Sequence, residues 1–152
     1  MSIEIDDPVE ILLVEDNPDD EELTLMALNR YNVGNRIHVV RDGEEALEWL
    51  FARGRYEGRN MQQHPKLVLL DIKLPLVDGI EVLRQVKGDP STKSIPIVLL
   101  TSSREESDIV AGYANGTNSY IVKPVDFTQF GEAMRNVGMY WLLVNMAPTF
   151  SK

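Results

Sequence analysis

The sequence predicts an α/β protein built on a parallel sheet with helices on both faces. Five short apolar runs recur along the chain, each rich in Val, Ile and Leu, and none alternates cleanly with polar residues. That is the pattern of strands buried on both sides. The segments between the runs repeat apolar residues at helical spacing. Strand–helix alternation of this kind implies right-handed crossovers between parallel neighbours.

The elements follow in order. The strands are expected at Ile11 to Val14, Ile37 to Val40, Leu67 to Leu70, Ile97 to Leu100 and Tyr120 to Val122. The first helix shows Leu23, Met26, Ala27 and Arg30 at helical spacing. Asn17 suits its cap, Pro18 its first position, and Asp19 to Glu22 complement its dipole. The second helix repeats Ala46, Leu47, Leu50 and Phe51 after the turn Arg41-Asp42-Gly43. Ile80, Leu83 and Val86 mark the third, Ile109 and Tyr113 the fourth. Arg53 to Pro65 is polar, holds three Arg and shows no period. It reads as a long loop, either a tolerated surface insertion or a partner contact.

The last helix is expected to start near Asp126 and run past Trp141. Phe127, Phe130, Met134, Val137, Trp141 and Val144 form a stripe fit to pack on the sheet. Met139, Leu142, Leu143 and Met146 form a second apolar set. A terminal helix rarely buries two faces in one domain, so the second set is expected to be an interface with another chain.

Composition narrows the class. The chain has 152 residues, about one domain, with 43% hydrophobic residues, enough for a core. The absence of Cys excludes disulfide scaffolds, thiolate metal sites and a cysteine nucleophile. A net charge of −9 argues against nucleic acid and anionic membranes as partners. No signal pattern opens the sequence and no apolar run approaches a membrane span, so a cytoplasmic protein is expected.

In an open α/β sheet, ligands bind outside the carboxyl ends of the strands. The first strand ends in Glu15 and Asp16, the third in Asp71, the fourth in Thr101 and Ser102, the fifth in Lys123. Each has a bland reading: helix start, strand cap, surface lysine. Together they place three carboxylates, a hydroxyl and an ammonium on one rim. Clustered acids repel unless a divalent cation neutralises them, and hard oxygen ligands suit Mg²⁺. A carboxylate beside a metal can attack phosphorus and form an aspartyl phosphate. Its oxygens would then be neutralised by Mg²⁺ and the Lys ammonium and bonded by the Thr hydroxyl.

With these residues in view, the sequence resembles the receiver domains of two-component response regulators. The motifs are Leu13-Val14-Glu15-Asp16, Leu70-Asp71-Ile72-Lys73-Leu74-Pro75 with Asp78-Gly79, Leu100-Thr101-Ser102, and Tyr120-Ile121-Val122-Lys123-Pro124. The resemblance implies a flavodoxin-like sheet of order 2-1-3-4-5. It runs from about Glu10 to the final helix, nearly the whole chain, and implies that 1–152 is a single receiver domain with a core of about 8–146 and no output domain. Asp71 would be the phosphoacceptor. Glu15, Asp16, Asp71 and the backbone carbonyl of Lys73 would hold Mg²⁺. Lys123 would pair with the phosphoryl group, Thr101 would bond it, and Tyr120 would be the aromatic that follows Thr101. The Lys123–Pro124 bond would be cis. Glu15 stands where the family often has Asp, and Lys73 lies where it tunes water access.

The implied donor is a phosphohistidine on a sensor histidine kinase. The long loop and the Tyr140-Trp141-Leu142 ending resemble the small stand-alone regulators paired with bacterial and cyanobacterial phytochromes. Those are usually homodimers, which agrees with the second apolar set. Haloacid-dehalogenase-like phosphatases also use a strand-end Asp, but need a second Asp where this chain has Lys73. A phosphorelay intermediate serving a histidine phosphotransfer protein, and a phosphate-independent adaptor, are the alternatives.

Overall fold

The computed structural model describes residues 9–31, 36–102 and 106–139. Five strands, β1 (Ile11–Val14), β2 (Ile37–Val40), β3 (Leu67–Asp71), β4 (Ile97–Thr101) and β5 (Ser119–Val122), alternate with five helices. These are α1 (Pro18–Asn29), α2 (Gly43–Leu50), α3 (Gly79–Gly88), α4 (Glu106–Ala114) and α5 (Phe127–Asn136). All pairings are parallel, and the strand order is β2-β1-β3-β4-β5. The expected fold class and all five strands are therefore present, with β3, β4 and β5 each one residue longer than the apolar runs.

Successive strand residues point to opposite faces, and the core divides accordingly. Ile11, Leu13, Leu67, Leu69, Val98, Leu100 and Ile121 pack against Ala27 and Leu28 of α1 and Phe130, Ala133 and Met134 of α5. Leu12, Val14, Val68, Leu70, Ile97 and Leu99 pack against α2 and α3 through Leu47, Trp49, Leu50, Val82, Leu83 and Val86. The β1, β3 and β4 residues are all buried, because both of their sides are used.

Helix starts follow the local chemistry. Asn17, Asp42, Asp78 and Asp126 each cap a helix, their side chains accepting from the backbone N–H three residues on. Two glycines let the β3–α3 connection fold tightly. A Cβ on Gly43 would overlap the Val77 carbonyl oxygen, and one on Gly79 would overlap that of Asp71.

Three expectations need correction. In α1 the buried residues are Thr24, Ala27 and Leu28, whereas Leu23 and Met26 are exposed. Hydrophobicity alone pointed to the wrong stripe.

Secondly, α5 does not run past Trp141; it ends at Asn136. Gly138 takes φ +74. The Met139 N–H donates to the Met134 carbonyl at 2.7 Å and the Gly138 N–H to Arg135 at 3.1 Å. This is a Schellman ending, in which glycine supplies the left-handed residue that stops a helix. Thirdly, Met139 is no part of an exposed interface. It turns back and is buried in the core beside Phe130 and Met134. Leu142, Leu143 and Met146 lie outside the described residues, as do Tyr140, Trp141 and Val144.

The segment 53–65 is tied to α2. A short 3-10 helix, Gly54–Tyr56, opens it. The Tyr56 hydroxyl donates to Glu45 Oε2 at 2.6 Å, and Arg55 Nε to Glu48 at 2.6 Å. The Arg59 guanidinium lies 3.7 Å over the Trp49 ring, and its Nε donates to the Trp49 carbonyl at 2.7 Å. Burial and the Glu45 carboxylate push the Tyr56 hydroxyl up to about 12.

Candidate functional site

The carboxyl ends of β1, β3, β4 and β5 meet at one rim. Glu15 follows β1 and stays in the ladder, its N–H donating to Val40 at 3.0 Å. Asp71 is the last residue of β3, Thr101 the last of β4, and both are buried. Lys123 follows β5, its N–H donating to Thr101 at 2.7 Å. The Lys123–Pro124 peptide bond is cis. Carboxylate oxygens of Glu15, Asp16 and Asp71 all lie within 4.8 Å of one another. Glu15 is fully buried, Asp71 nearly so, and Asp16 is exposed.

Lys123 is the cation of this cluster. Its Nζ lies 3.2 and 3.3 Å from the two Glu15 oxygens, 3.2 Å from Asp71 Oδ2 and 2.9 Å from Asp20 Oδ2. Burial alone would lower the ammonium, but Asp20, Asp71 and Glu15 outweigh it and hold Lys123 above the ordinary lysine range. Glu15 is pushed up to about 7, first by burial and then by the neighbouring charge of Asp71. A buried carboxyl this close to another resists ionisation unless positive charge is supplied.

The strand alternation sorts these residues by face. Glu15, Asp71 and Lys123 fall in phase with Leu13, Leu69 and Ile121, on the side of α1 and α5. Thr101 falls in phase with Leu99, on the side of α2 and α3, as does Tyr120, which packs against that core. Tyr120 is half-buried and stands edge-on to Tyr113, with ring centroids 6.3 Å apart. Lys73 is exposed and lines, with Asp16, Ile72, Leu74, Pro75, Asp78 and Ile80, an open cleft of about 510 Å³.

Glu15, Asp16, Asp71, Thr101 and Lys123 are thus brought to this rim. Asp20 was missed. Its sequence position reads as a helix-dipole acid, yet as the third residue of α1 it returns one turn after Asp16. The signal available was the start of α1 so soon after the rim.

The chemistry of the donors fits a hard divalent cation: carboxylate oxygens only, two of them buried and crowded. Carboxylates poised with a lysine and a strand-end threonine on a doubly wound sheet define a signalling receiver. The chain belongs to the response regulator receiver domain family, whose model matches residues 11–135. It is 39% identical over 146 residues to the probable methanogenesis regulatory protein FilR2 of Methanothrix harundinacea, covering 96% of this chain and 92% of that one. It is 36% identical over 142 residues to the response regulator Rcp1 of Synechocystis, covering 93% and 95%. Among solved structures, the bacteriophytochrome response regulator RtBRR superposes with a TM-score of 0.80 at 46% identity, covering 93% of this chain and 81% of that one. The Mn²⁺-bound form of Rcp1 superposes with a TM-score of 0.72 at 34% identity, covering 91% and 98%. The chain is accordingly a two-component response regulator, related to the phytochrome-associated regulators. Among the described residues no helix is long and apolar enough to cross a membrane.

Proposed function

We propose that this receiver accepts a phosphoryl group on Asp71 from a sensor histidine kinase of the bacteriophytochrome type. The convergence of Glu15, Asp16 and Asp71 within 4.8 Å, with Lys123 against two of them, carries the reading. The Asp71 carboxylate attacks phosphorus as the bond to the histidine nitrogen breaks. Lys123, already 3.2 Å from Asp71 Oδ2, supplies positive charge to the transferred group. Thr101 donates its hydroxyl from the end of β4, and Tyr120 on the neighbouring strand follows its movement. Glu15, Asp16, Asp71 and the backbone carbonyl of Lys73 would hold Mg²⁺. That ion, when bound, neutralises phosphoryl oxygens and the acidic cluster. The Mn²⁺-bound structure of Rcp1 and the hard-oxygen donor set support Mg²⁺ here.

The test is intact mass after incubation with acetyl phosphate. One phosphate that requires Mg²⁺ and is absent from Asp71→Asn is the expected result. No adduct on the folded native protein, and no beryllofluoride binding, would leave a phosphate-independent adaptor instead.

The same reading gives the chain a second copy as partner, through the apolar residues Leu142, Leu143 and Met146. Leu143→Glu is expected to give monomers by light scattering. A native protein that is itself monomeric, phosphorylated or not, would end this part of the proposal.

A further inference from the structure

Asp20 has no task in the chemistry above, yet it makes the shortest contact with Lys123. Its Oδ2 lies 2.9 Å from Nζ, against 3.2 Å for Asp71. It is not one of the three carboxylates gathered within 4.8 Å. Nor does its side chain hold the helix end: the Asp20 backbone N–H donates to the Asn17 cap at 3.0 Å. Its side chain keeps 28% exposure, where those of Glu15 and Asp71 keep 0% and 4%. It sits at the wet edge of the cluster.

We propose that Asp20 is a positioning residue that works through Lys123, giving the ammonium a carboxylate to keep when Glu15 and Asp71 are claimed by a divalent cation. This rests on the phosphoacceptor reading and concerns the same rim. An ammonium and a divalent cation compete for Glu15 and Asp71, since each neutralises them. A lysine side chain only 8% exposed that gave up both acids would be left without a partner, a costly state for a buried charge. With Asp20 beside it, Lys123 retains one charge-assisted hydrogen bond as it withdraws. Without Asp20, the lysine is satisfied only on the acids the cation needs, and cation entry must strip it from them. Asp20 therefore favours the cation-loaded rim while leaving the resting cluster neutralised.

The experiment is calorimetric titration of the full chain with Mg²⁺ alone. Asp20→Asn keeps the shape and removes the charge. It is expected to weaken Mg²⁺ about tenfold, as loss of one charge-assisted hydrogen bond would. Asp20→Glu is expected to bring affinity back to within about twofold of native, a difference small on this scale. The deciding arm is Lys123→Met. In that background Asp20→Asn is expected to change affinity by less than about twofold, because the residue through which Asp20 acts is gone. An equal loss in both backgrounds would make Asp20 a through-space charge on the cation and overturn the proposal. So would an Asp20→Asn protein that binds Mg²⁺ as the native one does. Thermal unfolding accompanies each variant, and Asp20→Ser replaces any Asp20→Asn protein that fails to fold. A native protein that binds no Mg²⁺ overturns the phosphoacceptor reading and this one together. A native protein that binds Mg²⁺ and takes up phosphate, with Asp20 indifferent, overturns this one alone.

Discussion

At the scale of single residues, the contrast between Glu15 and His38 shows how burial acts on opposite charge types. Burial and Asp71 raise the Glu15 carboxyl towards neutrality. Burial lowers the His38 imidazole, outweighing the attraction of Glu45, while Arg59 and Arg41 lower it further. His38 stacks on Trp49 at 5.4 Å and meets Tyr56 edge-on at 5.6 Å. The folded state therefore prefers neutral His38, and the unfolded chain takes up its proton first on acidification. Stability from this residue is present above the ordinary value of 6.5 and is lost as pH falls through the depressed folded value. His38→Phe keeps the ring stack and removes the proton site. Between pH 8 and pH 5 the native protein is expected to lose stability relative to His38→Phe, at no more than ~1.4 kcal/mol per pH unit. Urea denaturation of the pair at several pH values measures it, and parallel curves would contradict it.

At the scale of elements, the β3–α3 connection shows what sets Asp71 in place. The Gly79 N–H donates to Ile72 at 2.8 Å, folding the loop onto the end of β3 where a side chain at 79 would strike the Asp71 carbonyl. Gly79→Ala is expected to cost about 1–3 kcal/mol, as overpacking does, and to slow uptake of phosphate from acetyl phosphate. An unchanged melting temperature and an unchanged uptake rate would show that the loop yields freely.

The elements also show what a sequence discloses. Two-sided burial writes strands as unbroken apolar runs, and β1 matches its run residue for residue; β2, a half-buried edge strand that carries His38, also keeps the expected bounds. The rim acids, Thr101 and Lys123 were legible because a polar residue directly after a buried run has few structural reasons to be there. The end of α5 was not legible, because apolar spacing continues past Gly138 and one glycine is a weaker signal than the pattern around it. The inner face of α1 was hidden because it carries Thr24, whereas Leu23 and Met26 face water. Asp20 was hidden because its partner lies 103 residues away.

At the scale of the whole molecule, the sheet separates two cores that share strands but no side chains. Phe130 lies in one and Leu83 in the other, both fully buried. Phe130→Ala is expected to cost ~3–5 kcal/mol and Leu83→Ala ~2–5 kcal/mol. Residues on opposite sides of a sheet have no shared partner, so the double variant is expected to equal the sum within about 0.5 kcal/mol, provided it still folds. Denaturant titrations of the three variants decide this. A larger discrepancy would mean that strain crosses the sheet.

The same partition runs through the rim. Glu15, Asp71, Lys123 and, on α1, Asp20 stand on one side, and Thr101 and Tyr120 on the other. Glu15, Asp71, Thr101 and the Lys123 side chain are all buried at this rim, and Asp20, with 28% of its side chain exposed, is the member of the group at its wet edge. A substitution in either core therefore reaches the rim through a different set of packed side chains.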